Sequence, residues 1–174
     1  MPLVPSPHAK GCLLRAVAGQ CRVSIGPQAL DHLLLVADQH PDAQAAIDVA
    51  LELAECFHPR ITLLHGGNLR LNPAFWTSES LEAPDPHQSR LALLGLLWDV
   101  RKRWPQVSLC AVRVRTAEEL LRTAAQHAAD LLVLPEGLVG RFGPLLSRTG
   151  SEPVVAGAPC PMLIAEKQPF GAPA

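Results

Sequence analysis

The residues of this chain best suited to chemistry lie towards its C-terminal end. Gly137-Leu138-Val139-Gly140 is followed by nine residues and then by Gly150-Ser151. Glycine has no Cβ, so backbone N–H groups at such positions can close on phosphate oxygens. A serine at the start of a helix adds a hydroxyl where the helix dipole is positive. The spacing suits an anion cradle, and an ordinary glycine-rich turn accounts for the same glycines. No G-x-x-x-x-G-K-S/T occurs, so the segment is not a P-loop, and no G-x-G-x-x-G follows the first expected strand. Cys56, His58 and His65 stand close in the chain but miss the ligand spacings of zinc sites. Cys56 is expected to end a buried helix face, with the two histidines at element ends. The five cysteines, Cys12, Cys21, Cys56, Cys110 and Cys160, are odd in number and widely spread, which is not a disulfide framework.

Such residues act only where regular elements hold them. Residues 32–37 form a short continuous apolar run, the pattern of a buried parallel strand, and the run ends at Asp38. Pro41 suits the first turn of a helix. Ala43, Ala46, Ile47, Ala50, Leu51 and Ala54 then recur at helical spacing to about Cys56. Residues 61–65 make a second strand, stopped by Gly66-Gly67. Residues 68–86 hold Pro73, Pro84 and Pro86 and read as a loop or insert. Leu91, Leu94, Leu97, Trp98 and Arg101 mark an amphipathic helix that stops before Pro105, its Leu and Trp stripe facing the core. Residues 107–114 are the third strand. Thr116-Ala117-Glu118-Glu119 has the form of a capping box and opens a helix through Leu120, Leu121, Ala124 and Ala128. Residues 131–134 are the fourth strand, residues 151–157 a short helix, and residues 162–164 the fifth strand.

Strands that alternate with helices imply a single-domain α/β fold with a mostly parallel, Rossmann-like sheet and helices on both faces. In such sheets ligands bind beyond the carboxyl ends of the strands, where strand order reverses. The loops after the first and fourth strands are therefore the places to look.

The chain has 174 residues, 48% hydrophobic and 18% charged, with a formal net charge of −1. That length suits one domain with a full core. The balanced charge offers no case for nucleic-acid or membrane-surface binding. No apolar run is long enough to span a bilayer, and no secretory signal is recognisable, so a cytoplasmic protein is expected. Residues 1–30 stand apart: they hold no acid, three basic residues (Lys10, Arg15, Arg22) and scattered Pro and Gly. They read as a flexible or loosely docked arm, with residues 21–25 as a possible strand; the domain proper spans 31–166 and residues 167–174 are a tail.

The pattern G-x2-G-x9-G-S/T, matched without a gap by Gly137, Gly140, Gly150 and Ser151, is similar to the nucleotide-binding signature of ATP-binding universal stress proteins. The opening strand ending in Asp38 and its alanine-rich helix resemble that family's first βα unit. Residues 61–65 resemble its second strand. Ala129-Asp130, and the segment 158–161, are also similar. The resemblance covers residues 31–166. It implies five strands in the order 3-2-1-4-5, an adenine nucleotide (ATP with Mg2+, or AMP) as ligand, and a regulatory role in the stress response. By resemblance Ala37 and Asp38 meet the nucleoside, while Gly137, Gly140, Gly150 and Ser151 hold ribose and phosphates. It also implies a homodimer through the last strand. No nucleophile with a base and an orienting group is identifiable, and Asp38, by holding Mg2+ or orienting water, would support at most slow ATP hydrolysis. The sequence departs from the family at Gln39-His40, where Gly-Ser is usual, and at Pro135-Glu136, Val139 and Pro153. Those departures motivate the alternative of a dimerisation scaffold that binds no nucleotide.

Overall fold

The computed structural model describes residues 13–17, 30–36, 43–66, 86–112, 116–138, 146–149 and 152–167. The elements in chain order are β1 (Leu13–Val17), β2 (His32–Val36), α1 (Ala43–Phe57), β3 (Arg60–Gly66), α2 (Pro86–Arg103), β4 (Val107–Val112), α3 (Ala117–Gln126), β5 (Leu131–Pro135), β6 (Leu146–Thr149), β7 (Glu152–Val155) and β8 (Met162–Glu166). Six strands form one sheet in the order β1-β8-β5-β2-β3-β4, and each neighbouring pair is parallel. The expected five-stranded sheet of order 3-2-1-4-5 is thus corrected. The five anticipated runs keep that order among themselves, and a sixth strand, β1, lies beyond the last of them.

β1 escaped the sequence reading because Arg15 interrupts its apolar run. A strand with one free edge tolerates such a charge, since the side chain reaches solvent. Here Arg15 is exposed, ion-pairs with Glu166 at the end of β8, and lies 3.8 Å from Glu136. Ala16 is buried in the core.

The apolar runs of β2 and β5 are buried along their whole length because both faces of the sheet are covered. Side chains alternate between two cores. Leu33, Leu35, Ile61, Leu63, Leu131, Val133 and Leu163 pack with α1 and with Val100 of α2. Leu34, Val36, Leu64, Leu132, Leu134, Met162 and Ile164 pack with α3. Ala46, Ala50 and Ala54 of α1 are fully buried; their small size lets that helix lie close to the sheet.

Chain ends of the helices follow local chemistry. Thr116 caps α3, its hydroxyl accepting from the Glu119 N–H at 3.2 Å, as the capping-box spacing predicts. α2 starts at Pro86, where a missing N–H costs nothing, a turn before the expected helix. His58 ends α1 with φ 54° and stacks on Trp104. Asp130 ties the amino ends of β2 and β5 together: its carboxylate accepts from the Asp31 and His32 N–H groups at 3.1 and 2.8 Å.

Three further expectations are corrected. α2 is rotated, so Leu91, Leu94 and Trp98 are 60%, 47% and 64% exposed, while Leu96, Leu97, Val100 and Trp104 face the sheet. Cys56 is exposed. Residues 152–155, expected in a short helix, are a strand paired antiparallel with β6. Pro153 cannot donate to a helical ladder, and Val154 and Val155 favour extended backbone.

Candidate functional site

β2 and β5 lie side by side in parallel register, Leu33 opposite Leu131 and Leu35 opposite Val133. The chain leaves β2 towards β3 on one side, while β5 leads towards β8 on the other. Strand order reverses between them, which opens a crevice at their carboxyl ends. At that end of β5 the chain makes a short 3₁₀ turn over residues 136–138. Leu138 is buried in the α3-side core and anchors the turn, leaving Gly137 exposed. The exposed Glu136 carboxylate, beside the glycine, lies near the Arg15 guanidinium. That contact is exposed and worth little to stability, but it sets a cation against the acid next to Gly137.

Gly137 is the expected site residue that the described structure places, at the carboxyl end of β5. Ala37, Asp38, Gly140, Gly150 and Ser151 lie outside the described residues. The chain after residue 151 enters β7, so the helix dipole that the sequence reading aimed at a phosphate from there is not present. The anion donors that this segment has to offer are its backbone amides, its hydroxyls and the guanidinium groups of Arg141 and Arg148.

A second polar region lies at the opposite, amino end of the sheet, on the α3 face. A cavity of about 360 Å³ is lined there by His32, Arg60, Thr62, Ser108, Cys110 and His127, among others. Register explains the gathering: Thr62 pairs with Ser108 and Leu64 with Cys110 across β3 and β4, while His32 pairs with Arg60 across β2 and β3. The His32 ring meets the His127 carbonyl at 2.8 Å through Nδ1 and the Thr62 hydroxyl at 2.8 Å through Nε2. A carbonyl only accepts, so Nδ1 carries the proton and Nε2 accepts from Thr62. Thr62 then accepts from Ser108 at 3.0 Å. Burial pulls the pKa of His32 below its ordinary value, although the bond to His127 opposes the shift. Cys110 Sγ lies 3.2 Å from His127 Nε2. Burial pushes the Cys110 thiol up, and that of the core residue Cys160 up to about 12. Among the described residues no cluster of three or more His, Cys, Asp or Glu side chains could hold a metal ion. No described helix is long and apolar enough to cross a membrane.

The sequence model of the universal stress protein family matches residues 29–166. The chain belongs to the universal stress protein family. Solved structures of similar fold agree. One is a universal stress protein family member from Burkholderia pseudomallei, 22% identical, with a TM-score of 0.53, covering 80% of this chain and 98% of that one. Another is the universal stress protein UspA from Lactobacillus plantarum, 21% identical, with a TM-score of 0.54, covering 80% and 99%. A third is a universal stress protein in complex with cAMP, 17% identical, with a TM-score of 0.52 and the same coverages. At these identities the likeness is one of fold. No curated protein matches the chain.

In this universal stress protein the place of Gly137 just after β5 was legible because it depends on local sequence. The amino-end cavity was not, because it is assembled from residues up to 95 positions apart that only strand register brings together. The alternation of polar residues at positions 32, 62, 108 and 110 on one sheet face was the available signal, visible once the strands are aligned.

Proposed function

We propose that this universal stress protein is a regulatory protein of the stress response that binds an adenine nucleotide, ATP with Mg2+ or AMP, beyond the carboxyl ends of β2 and β5. The carrying observation is the reversal of strand order between β2 and β5, with the exposed Gly137 turn leaving β5 at that point. The ligand class is supported by the cAMP complex of a protein with a similar fold. In this reading Ala37 and Asp38 contact the nucleoside, and Gly137, Gly140, Gly150 and Ser151 contact ribose and phosphates. When bound, Mg2+ offsets phosphate charge; the chain itself supplies hydrogen-bond donors rather than a nucleophile and base. Equilibrium dialysis with labelled ATP and magnesium is expected to show saturable binding below millimolar concentration. Gly150→Val, which adds side-chain bulk at the cradle, is expected to weaken it by about tenfold, roughly 1.4 kcal/mol. Absence of saturable binding in that range rejects the reading.

The scaffold alternative relies on a homodimer through residues 162–164. β8 is hydrogen-bonded to β1 on one side and β5 on the other, so that dimer requires β1 to leave the sheet first.

A further inference from the structure

We propose that the amino-end cavity is a thiol-modification site in which Cys110, with His127 as its base, exchanges with small anionic disulfides. The site lies at the opposite end of the sheet from the proposed nucleotide crevice and does not depend on it.

Three observations converge. Cys110 Sγ and His127 Nε2 are 3.2 Å apart, within reach for sulfur as a donor. Both line a cavity of about 360 Å³, within the size range of small-molecule pockets. His127 is the C-cap of α3, its backbone N–H held by the Thr123 carbonyl, so its place at the cavity is fixed by the helix end. Because burial raises the Cys110 thiol, the thiolate does not form unaided, and a base in contact is what makes exchange accessible. The other described cysteines lack one element or another. Among the described residues, Cys56 is exposed and meets no histidine ring nitrogen, and Cys160 is buried.

The chemistry balances without an added oxidant beyond the disulfide. With its own proton on Nδ1, His127 takes the thiol proton at Nε2. Cys110 Sγ attacks one sulfur of R–S–S–R; the new Sγ–S bond forms as the old S–S bond breaks. The departing R–S⁻ takes the proton back from the imidazolium. Cys110 ends as a mixed disulfide, oxidised, and one R–S half ends as a free thiol, reduced. The lining determines the class of R group. Among the described lining residues there is no carboxylate, while Arg60 supplies a fixed positive charge and Gln126 an amide donor. Those groups fit a carboxylate-bearing disulfide better than a neutral one.

The test uses the full chain with glutathione disulfide, and with bis(2-hydroxyethyl) disulfide as the neutral comparator. Adducts are followed per cysteine by peptide mass spectrometry at pH 7. Cys110 is expected to react with glutathione disulfide at least about tenfold faster than Cys56 in the same molecule. His127→Asn is expected to slow Cys110 by about tenfold or more while leaving Cys56 unchanged. Cys160 reports on folding, since it stays unmodified as long as the core is closed. If it becomes reactive in His127→Asn, His127→Gln is compared in the same way, and the urea midpoint selects the variant that remains folded. Arg60→Gln is expected to slow the charged disulfide severalfold and spare the neutral one. Cys110 reacting no faster than Cys56, or a folded His127 variant reacting at the parent rate, overturns the site. Equal slowing of both disulfides by Arg60→Gln, or slowing of neither, overturns the anionic class.

Discussion

His32 is buried with both ring nitrogens engaged, and this gives the fold a pH dependence of known sign. In the unfolded chain the imidazole takes up a proton near its ordinary value of 6.5; in the folded protein burial delays that uptake to lower pH. Between the two values the unfolded state binds more protons, so stability falls as pH drops. Protonation also reverses the Thr62 bond, because Nε2 then donates and Thr62 must give its own proton to another acceptor. Arg60, His127 and Asp130 are the charged or titratable neighbours that modulate the shift. His32→Gln is expected to lower stability at pH 7.5, by about 1–3 kcal/mol for the disturbed buried bonds. Its loss of stability as pH falls below about 6.5 should be shallower than in the parent. Urea midpoints measured across that range check both parts; an unchanged slope would show that His32 is not the group responsible.

At the scale of elements, α3 shows how one helix serves both the core and the amino-end cavity. Thr116 fixes its start, and Leu120, Leu121 and Ala124 bury its inner face. Its end is held by the Ala128 N–H on the Ala125 carbonyl at 3.0 Å and the Ala129 N–H on the Ala124 carbonyl at 3.1 Å. That closure puts Ala128 at φ 49°, a left-handed conformation normally filled by glycine. Ala128→Gly is therefore expected to raise stability by about 1 kcal/mol, read from the denaturant midpoint at unchanged slope. A lower midpoint would mean that the entropy glycine gains in the unfolded chain outweighs the relief of strain. α2 makes the opposite point. Its stripe of leucine and tryptophan has helical spacing, but the face that packs is the one through Leu96, Leu97, Val100 and Trp104. Several stripes of similar hydrophobicity run along that helix, and its neighbours select one.

For the whole molecule, β1 decides which edges the sheet presents. It pairs in parallel with β8 from Leu13 opposite Met162 to Val17 opposite Glu166. Deleting residues 1–17 removes that pairing and leaves one edge of β8, otherwise buried from Met162 to Ala165, without hydrogen-bond partners. Such an edge is a template for another chain. The full chain is expected to resist association through β8, whereas the truncated chain forms dimers or larger species at the same concentration. Light scattering on sized samples checks this. A truncated protein that remains folded and monomeric at high concentration would show that β1 does not guard the edge.

What the sequence determined by itself was local. Apolar runs at 32–36 and 131–134, the alanine-rich face of α1, the Thr116 cap and the glycine spacing each depend on residues within a few turns of one another. Together they carried the α/β fold and the family. The tertiary structure decided everything that depends on pairing across distance: β1 joining β8, residues 152–155 extending as a strand instead of coiling, the rotation of α2, and the meeting of Cys110 with His127. Periodicity states which residues want burial, but not against what. Partners are chosen by register and by competition among faces, and those are properties of the assembled sheet.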